Sequence, residues 1–125
     1  MPDARFGVEV VGGVPVVAAP EEIDITNADG LRSALLQVAA NGHGMFVVDM
    51  TRTRLGDTSG LHALVAAHKR ARAESRELLL VIPSTAVLRI LAITGIDRVI
   101  PNFTSLDEAL AQTPAATVRP QPSAT

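Results

Sequence analysis

Two short runs, MFVVDM at 45–50 and ELLLVIP at 77–83, constrain this chain more than any other feature of it. Each is apolar at consecutive positions, so a strand built from it must be covered on both faces. Between them, Leu61, Leu64, Val65 and His68 recur at i, i+3, i+4 and i+7, which predicts an amphipathic helix over Ser59–Ala73. A single helix between two buried strands implies a parallel pair joined by a crossover.

The flanking segments extend this unit. Phe6–Val11 and Val14–Ala19 read as strands joined by Gly12-Gly13, a hairpin turn in which both glycines tolerate positive φ. Pro15 has no N–H to donate, which assigns it to a strand start or an edge. A polar stretch, PEEIDITNADG, leads into a helix from about Asn27 to Ala40, with Leu31, Leu35 and Val38 on one face and Asn41-Gly42 as its stop. Met45–Asp49 and Glu77–Ile82 are the buried strands. Pro83 and Ser84 open a third helix, which Gly95 closes. DRVIPNF, 97–103, reads as a last short strand. SLDEALAQ is a final helix capped by Ser105, with Glu108 three residues on completing a capping box.

The expected order is therefore ββαβαβαβα. It describes an α/β fold, a small mixed sheet with helices packed on it. One domain spans residues 1–112. From Thr113 onward, the Pro-, Ala- and Thr-rich composition predicts a disordered tail.

Composition narrows the function. Hydrophobic residues make up 47% of the 125 but aromatics only 2%, so the core is aliphatic and no stacking platform for single-stranded nucleic acid is available. A net charge of −2 argues against binding a phosphate backbone. The absence of cysteine excludes disulfides and thiolate metal sites. The N-terminus does not resemble a signal peptide, and no apolar run approaches the roughly 18 residues of a membrane span. A cytoplasmic domain that touches neither membrane nor nucleic acid is expected. Neither G-x-x-x-x-G-K-[ST] nor G-x-G-x-x-G occurs, so no nucleotide cofactor is expected.

The remaining chemistry lies in GDTSGL, 56–61, where two hydroxyls stand between an acid and a glycine at the start of a helix. Thr58, Ser59 or Asp57 can cap that helix, and the charge of Asp57 suits its N-terminus. One cap needs one oxygen, yet three stand in a row. Gly60 in the first turn is a poor helix former, and a glycine there lets another molecule's surface come close. The Gly56 to Gly60 spacing matches a nucleophile elbow with Thr58 at the nucleophile position and His62 four residues on. A hydrolase is disfavoured: the chain is short, no histidine follows His68, and Thr58 and His62 are too local for a triad. His62 reads as a surface residue and His68 as a residue at the core boundary. Asp24, Asp49 and Asp57 lack the spacing of a metal site. A third possibility is a phosphosite: a phosphate on Thr58 adds about −1.5 to −2 charges, accepted by the helix N-terminus but repelled by Asp57 and by an acidic partner.

VVDM, a short loop and then Asp57-Thr58-Ser59-Gly60-Leu61 together resemble the STAS domain of bacterial anti-sigma factor antagonists, whose motif is usually Asp-Ser-Ser-Gly or Asp-Ser-Thr-Gly followed by Leu. The resemblance continues through Glu22-Ile23-Asp24, through PSTAVLRIL at 83–91, through Thr94-Gly95-Ile96-Asp97 and through SLDEAL at 105–110, covering roughly residues 6–112. It implies a non-enzymatic binding module with an α/β fold, a four- or five-stranded mixed sheet with helices packed mainly on one face. The implied partner is a GHKL-type kinase that also serves as the anti-sigma factor. The unphosphorylated antagonist binds that kinase and frees the sigma factor. The kinase then phosphorylates the hydroxyl after the Asp, here Thr58 with Ser59 as second choice, and a separate phosphatase reverses the step. Glu22, Asp24, Asp57, Thr58, Ser59, Gly60 and Leu61 are the implied partner-binding residues. Two positions depart from the pattern: the acceptor is Thr where the family usually has Ser, and Glu21 stands where many members have Gly. The alternative is a STAS scaffold or accessory subunit, in a stressosome or beside a lipid or anion transporter.

Overall fold

A computed structural model describes residues 7–42 and 44–112. Phe6 and the segment from Thr113, expected to be a strand end and a disordered tail, lie outside the described residues. A five-stranded mixed sheet is built from β1 (Val8–Val11), β2 (Val14–Ala18), β4 (Met45–Asp49), β6 (Glu77–Val81) and β7 (Asn102–Phe103), in spatial order β1-β2-β4-β6-β7. Only the β1–β2 hairpin is antiparallel; Gly12 and Gly13 turn it with φ of 60° and 84°. The β2–β4, β4–β6 and β6–β7 pairs are parallel. Pro15 is the second residue of β2, and the ladder to β4 begins only at Val16, so proline occupies the strand start.

The consecutive apolar runs are explained by two cores. Phe46, Val48, Leu78, Leu80 and Ile82 face helices α1 (Ala28–Ala40), α2 (Ser59–Ala73) and α3 (Thr85–Thr94). Met45, Val47, Leu79 and Val81 face the other way, toward Val14, Val16 and Ala109 of the short α4 (Leu106–Leu110). The sheet is thus covered on both faces, with three of the four helices on one of them. A one-residue slip in β4 or β6 would exchange the two sets of side chains, so register is strongly specified.

Two expectations need correction. First, two-residue strands β3 (Glu22–Ile23) and β5 (Arg54–Leu55) pair in parallel, where the sequence suggested only loops. Two residues are too few to show a period. Second, Asp97–Ile100 is not strand: a 3₁₀ turn, Ile96–Arg98, follows Gly95, whose φ of 83° ends α3. Ile96 and Ile100 are both buried at a spacing of four, a helical interval rather than an alternating one. The capping box on α4 holds in modified form. Ser105 Oγ accepts from Glu108 N–H at 3.1 Å, while the Glu108 carboxylate accepts from Thr104 N–H, one residue before the cap.

The sequence reading missed Arg76, which is 4% exposed. Its guanidinium donates to the Val38, Asn41 (3.1 Å) and Gly44 (3.0 Å) carbonyls and lies 4.9 Å from the centroid of the Phe46 ring. A cation thus closes the C-terminal end of α1, where unpaired carbonyls and the helix dipole both favour it. Arg76→Ala should cost about 2–3 kcal/mol, because it removes charged hydrogen bonds to three carbonyls together with the packing of the side chain on Phe46. Urea unfolding checks this, with the midpoint falling and the slope unchanged.

Candidate functional site

The corner is built where the loops after β2 and β4 meet. Residues 50–57 of the second loop are pinned in sequence. Met50 is buried, and Thr53, 2% exposed, donates its hydroxyl to the Pro20 carbonyl at 2.8 Å. Arg54 N–H donates to Glu21 O at 2.8 Å and Gly56 N–H to Ile23 O at 2.8 Å, which zips β5 onto β3. Glu22 and Arg54 face each other across this ladder at 3.7 Å, an exposed pair worth at most about 1 kcal/mol.

Asp57 follows immediately. Its Oδ1 accepts from Ser59 N–H at 2.8 Å and its Oδ2 from Ile25 N–H at 3.0 Å. These bonds favour the charged form: the Ser59 N–H, then the Ser59 hydroxyl and the Ile25 N–H, hold the carboxyl below its ordinary value of 3.8. The cap question is thereby answered. Asp57 binds the first free N–H of α2, whereas Thr58, at the N-cap position, makes no side-chain cap bond and is exposed.

The first loop is ordered in its own right. Asp24 Oδ1 accepts from Thr26 N–H at 2.9 Å and also from the Thr26 hydroxyl. Asn27 Oδ1 accepts from Asp24 N–H at 3.0 Å, and its amide donates to Glu22 O at 2.7 Å. Asp24 is thus a half-buried turn residue. Ile25 projects between these tied residues, 76% exposed. Sequence reasoning passed over it; the only signal was a large aliphatic in an otherwise polar stretch.

The structure brings Glu22, Asp24, Asp57, Thr58 and Ser59 to one corner. Gly60 and Leu61 stand differently. Leu61 is 4% exposed and belongs to the core under α2. Gly60 is buried, and a Cβ on it would lie 2.7 Å from Ile23 Cγ2 and 3.2 Å from Leu55 Cδ2. The close approach that glycine permits is therefore made by the protein's own β3 and β5, not by another molecule.

The geometry also separates the remaining chemical readings. A nucleophile elbow is a strained turn directly between strand and helix. Here residues 50–57 intervene after β4, and Thr58 has an unstrained φ of −83°. His62 is exposed on α2, and His68 is half-buried, its pKa lowered mainly by burial and then by Arg72. Among the described residues, no group of acidic, His or Cys side chains is placed to hold a metal ion, and no helix is long and apolar enough to cross a membrane. Asp49 is engaged locally, accepting from Thr51 N–H at 3.0 Å.

The model of the STAS domain family matches residues 5–109. The chain belongs to the STAS domain family. An anti-sigma factor antagonist from Mycobacterium paratuberculosis is similar to this STAS domain at 31% identity, with a TM-score of 0.72 over 86% of this chain and 92% of that one. An anti-sigma-factor antagonist (STAS) domain protein from Planctomyces limnophilus shares the fold at 22% identity, with a TM-score of 0.74 over 84% and 93% of the two chains. So does the anti-sigma factor antagonist SpoIIAA in its unphosphorylated form, at 16% identity and a TM-score of 0.65 over 86% and 94%. No curated protein matches the sequence.

Two outcomes follow from the packing and the charge. Gly60→Ala should destabilise this domain by about 1–3 kcal/mol, because the overpacking against Ile23 outweighs the roughly 1 kcal/mol that alanine gains as a helix former; thermal unfolding measures it. Because the Asp57 carboxyl is depressed in the fold, its contribution to stability is fully present above pH 3.8 and is lost as pH falls through the lowered value. The stability gap between wild type and Asp57→Asn should therefore narrow below pH 3.8, as read by denaturant titrations at several pH values.

Proposed function

We propose that this STAS domain is a cytoplasmic anti-sigma factor antagonist controlled by phosphorylation of Thr58. Unphosphorylated, it binds a GHKL-type kinase that is also the anti-sigma factor, and so releases a sigma factor. The kinase transfers the γ-phosphoryl group of ATP to Thr58 Oγ1; ADP leaves, and a base on the kinase takes the hydroxyl proton. A phosphatase returns the hydroxyl and inorganic phosphate.

One observation carries the reading: Asp57 performs the capping, which leaves the Thr58 hydroxyl exposed and uncommitted. Ser59 ranks second because it is half-buried and its N–H is held by Asp57. A phosphate on Thr58 is compatible with the fold, since the first turn of α2 attracts anions and the position faces water. It is incompatible with a partner surface tuned to a neutral hydroxyl beside a carboxylate, because it adds about −1.5 to −2 charges at the contact.

The test is capture from a lysate of the source organism with three baits. Wild type and Thr58→Ala should retain a GHKL-type kinase, and Thr58→Glu should lose it by at least tenfold. Incubation with ATP should phosphorylate wild type but not Thr58→Ala. If wild type and Thr58→Glu instead retain the same scaffold or transporter proteins, partner switching is refuted, and a stressosome or transporter subunit is the better description.

A further inference from the structure

Two elements converge beside the acceptor. Ile25, 76% exposed, borders a groove of about 250 Å³ between α1 and α2, lined by Ala28, Asp29, Arg32, Ser59, His62 and Ala63. Ser59, the residue next to Thr58, lines this groove, so the groove and its rim adjoin the surface over which a kinase reaches Thr58 Oγ1. Ile25 is also joined to the acceptor segment through its backbone, because its N–H donates to Asp57 Oδ2 at 3.0 Å while Asp57 Oδ1 holds Ser59 N–H at 2.8 Å. One carboxylate therefore ties together two loops that are 32 residues apart in sequence.

We propose that Ile25 is an apolar anchor for the kinase, seated against an apolar side chain over the small floor of Ala28 and Ala63, and that Asp57 relays the state of Thr58 to it. The proposal rests on the functional reading above and adds its regulation. Phosphorylation places a dianion on the residue next to the Asp57 carboxylate. Like charges at that separation repel, and the N–H groups at the start of α2 attract the more highly charged phosphate. Asp57 is drawn off its two neutral donors, and Ile25 N–H loses its partner. The bonds among Glu22, Asp24, Thr26 and Asn27 keep the loop folded, so the change is confined to the Ile25 peptide, whose side chain turns out of the position in which the kinase meets it. Phosphorylation then removes a hydrophobic contact as well as adding charge. Asp57 is a positioning residue in this scheme, and Ile25 is a contact.

The relay is tested without any partner. Protein carrying phosphothreonine at position 58, incorporated during synthesis, is compared by NMR with unmodified protein. The Ile25 amide should exchange at least tenfold faster in the phosphorylated protein and its proton resonance should move upfield, while the amides of β4 and β6 stay unchanged. Asp57→Asn should produce the same change at Ile25 without phosphate. An Ile25 amide indifferent to both overturns the relay. The contact is tested with Ile25→Ser, which keeps the backbone N–H: kinase retained from lysate should fall at least tenfold against wild type, and equal retention overturns the anchor role. If wild type retains no kinase, the functional reading fails, and the NMR comparison still decides the relay.

Discussion

Ile23 rests on Gly60, and the shortness of that contact decides where Thr58 stands. With only 2.7 Å between Ile23 Cγ2 and the place a Cβ would take, the first turn of α2 lies flush against the β3–β5 ladder. Moving the helix out by the width of a methyl group would carry Ser59 and Asp57 away from the first loop. The bond from Ile25 N–H to Asp57 would then be too long to form. The corner is thus a packing result first and an electrostatic one second. Glycine supplies the approach, and aspartate fastens the two loops once they are close.

The approach itself depends on the sheet. The loops after β2 and β4 emerge side by side because those strands are parallel neighbours, with Ala18 opposite Asp49 at the end of the ladder. Crevices beyond the carboxyl ends of parallel strands are where open α/β sheets commonly bind their ligands. Register is secured by burial on both faces, with Phe46 and Val48 on one side and Met45 and Val47 on the other. At the opposite end, Arg76 fastens α1 to the start of β4 through the Val38, Asn41 and Gly44 carbonyls. Polar side chains thus fasten both ends of the sheet, and the Asp57 fastening lies next to the exposed Thr58 hydroxyl.

Much of this was legible in advance wherever a period or a local rule applied. The buried strands, the three long helices and the glycine hairpin follow from apolar spacing and turn residues. Where the reading failed, the determinant was short or distant. Two residues of β3 and two of β5 carry no pattern, and their pairing is decided by Thr53 and Met50 pinning the loop between them. Residues 97–100 look β-prone by composition, but the left-handed Gly95 and the buried pair Ile96 and Ile100 make them a turn. Arg76 in isolation resembles any solvated arginine, and its burial depends on the end of a helix more than thirty residues away.

By itself, the sequence determined the fold class, the aliphatic core and the presence of an acid and two hydroxyls at the start of one helix. Those are consequences of composition and of spacing within single elements, which solvent exclusion and backbone geometry act on directly. Only the tertiary structure decided that Asp57 is the cap and Thr58 the free hydroxyl, that Gly60 serves the protein's own packing, and that Ile25 stands exposed beside Thr58. The last two depend on β3 and its loop being laid against α2 from thirty or more positions away, and a contact made across that distance leaves no mark in the local order of residues.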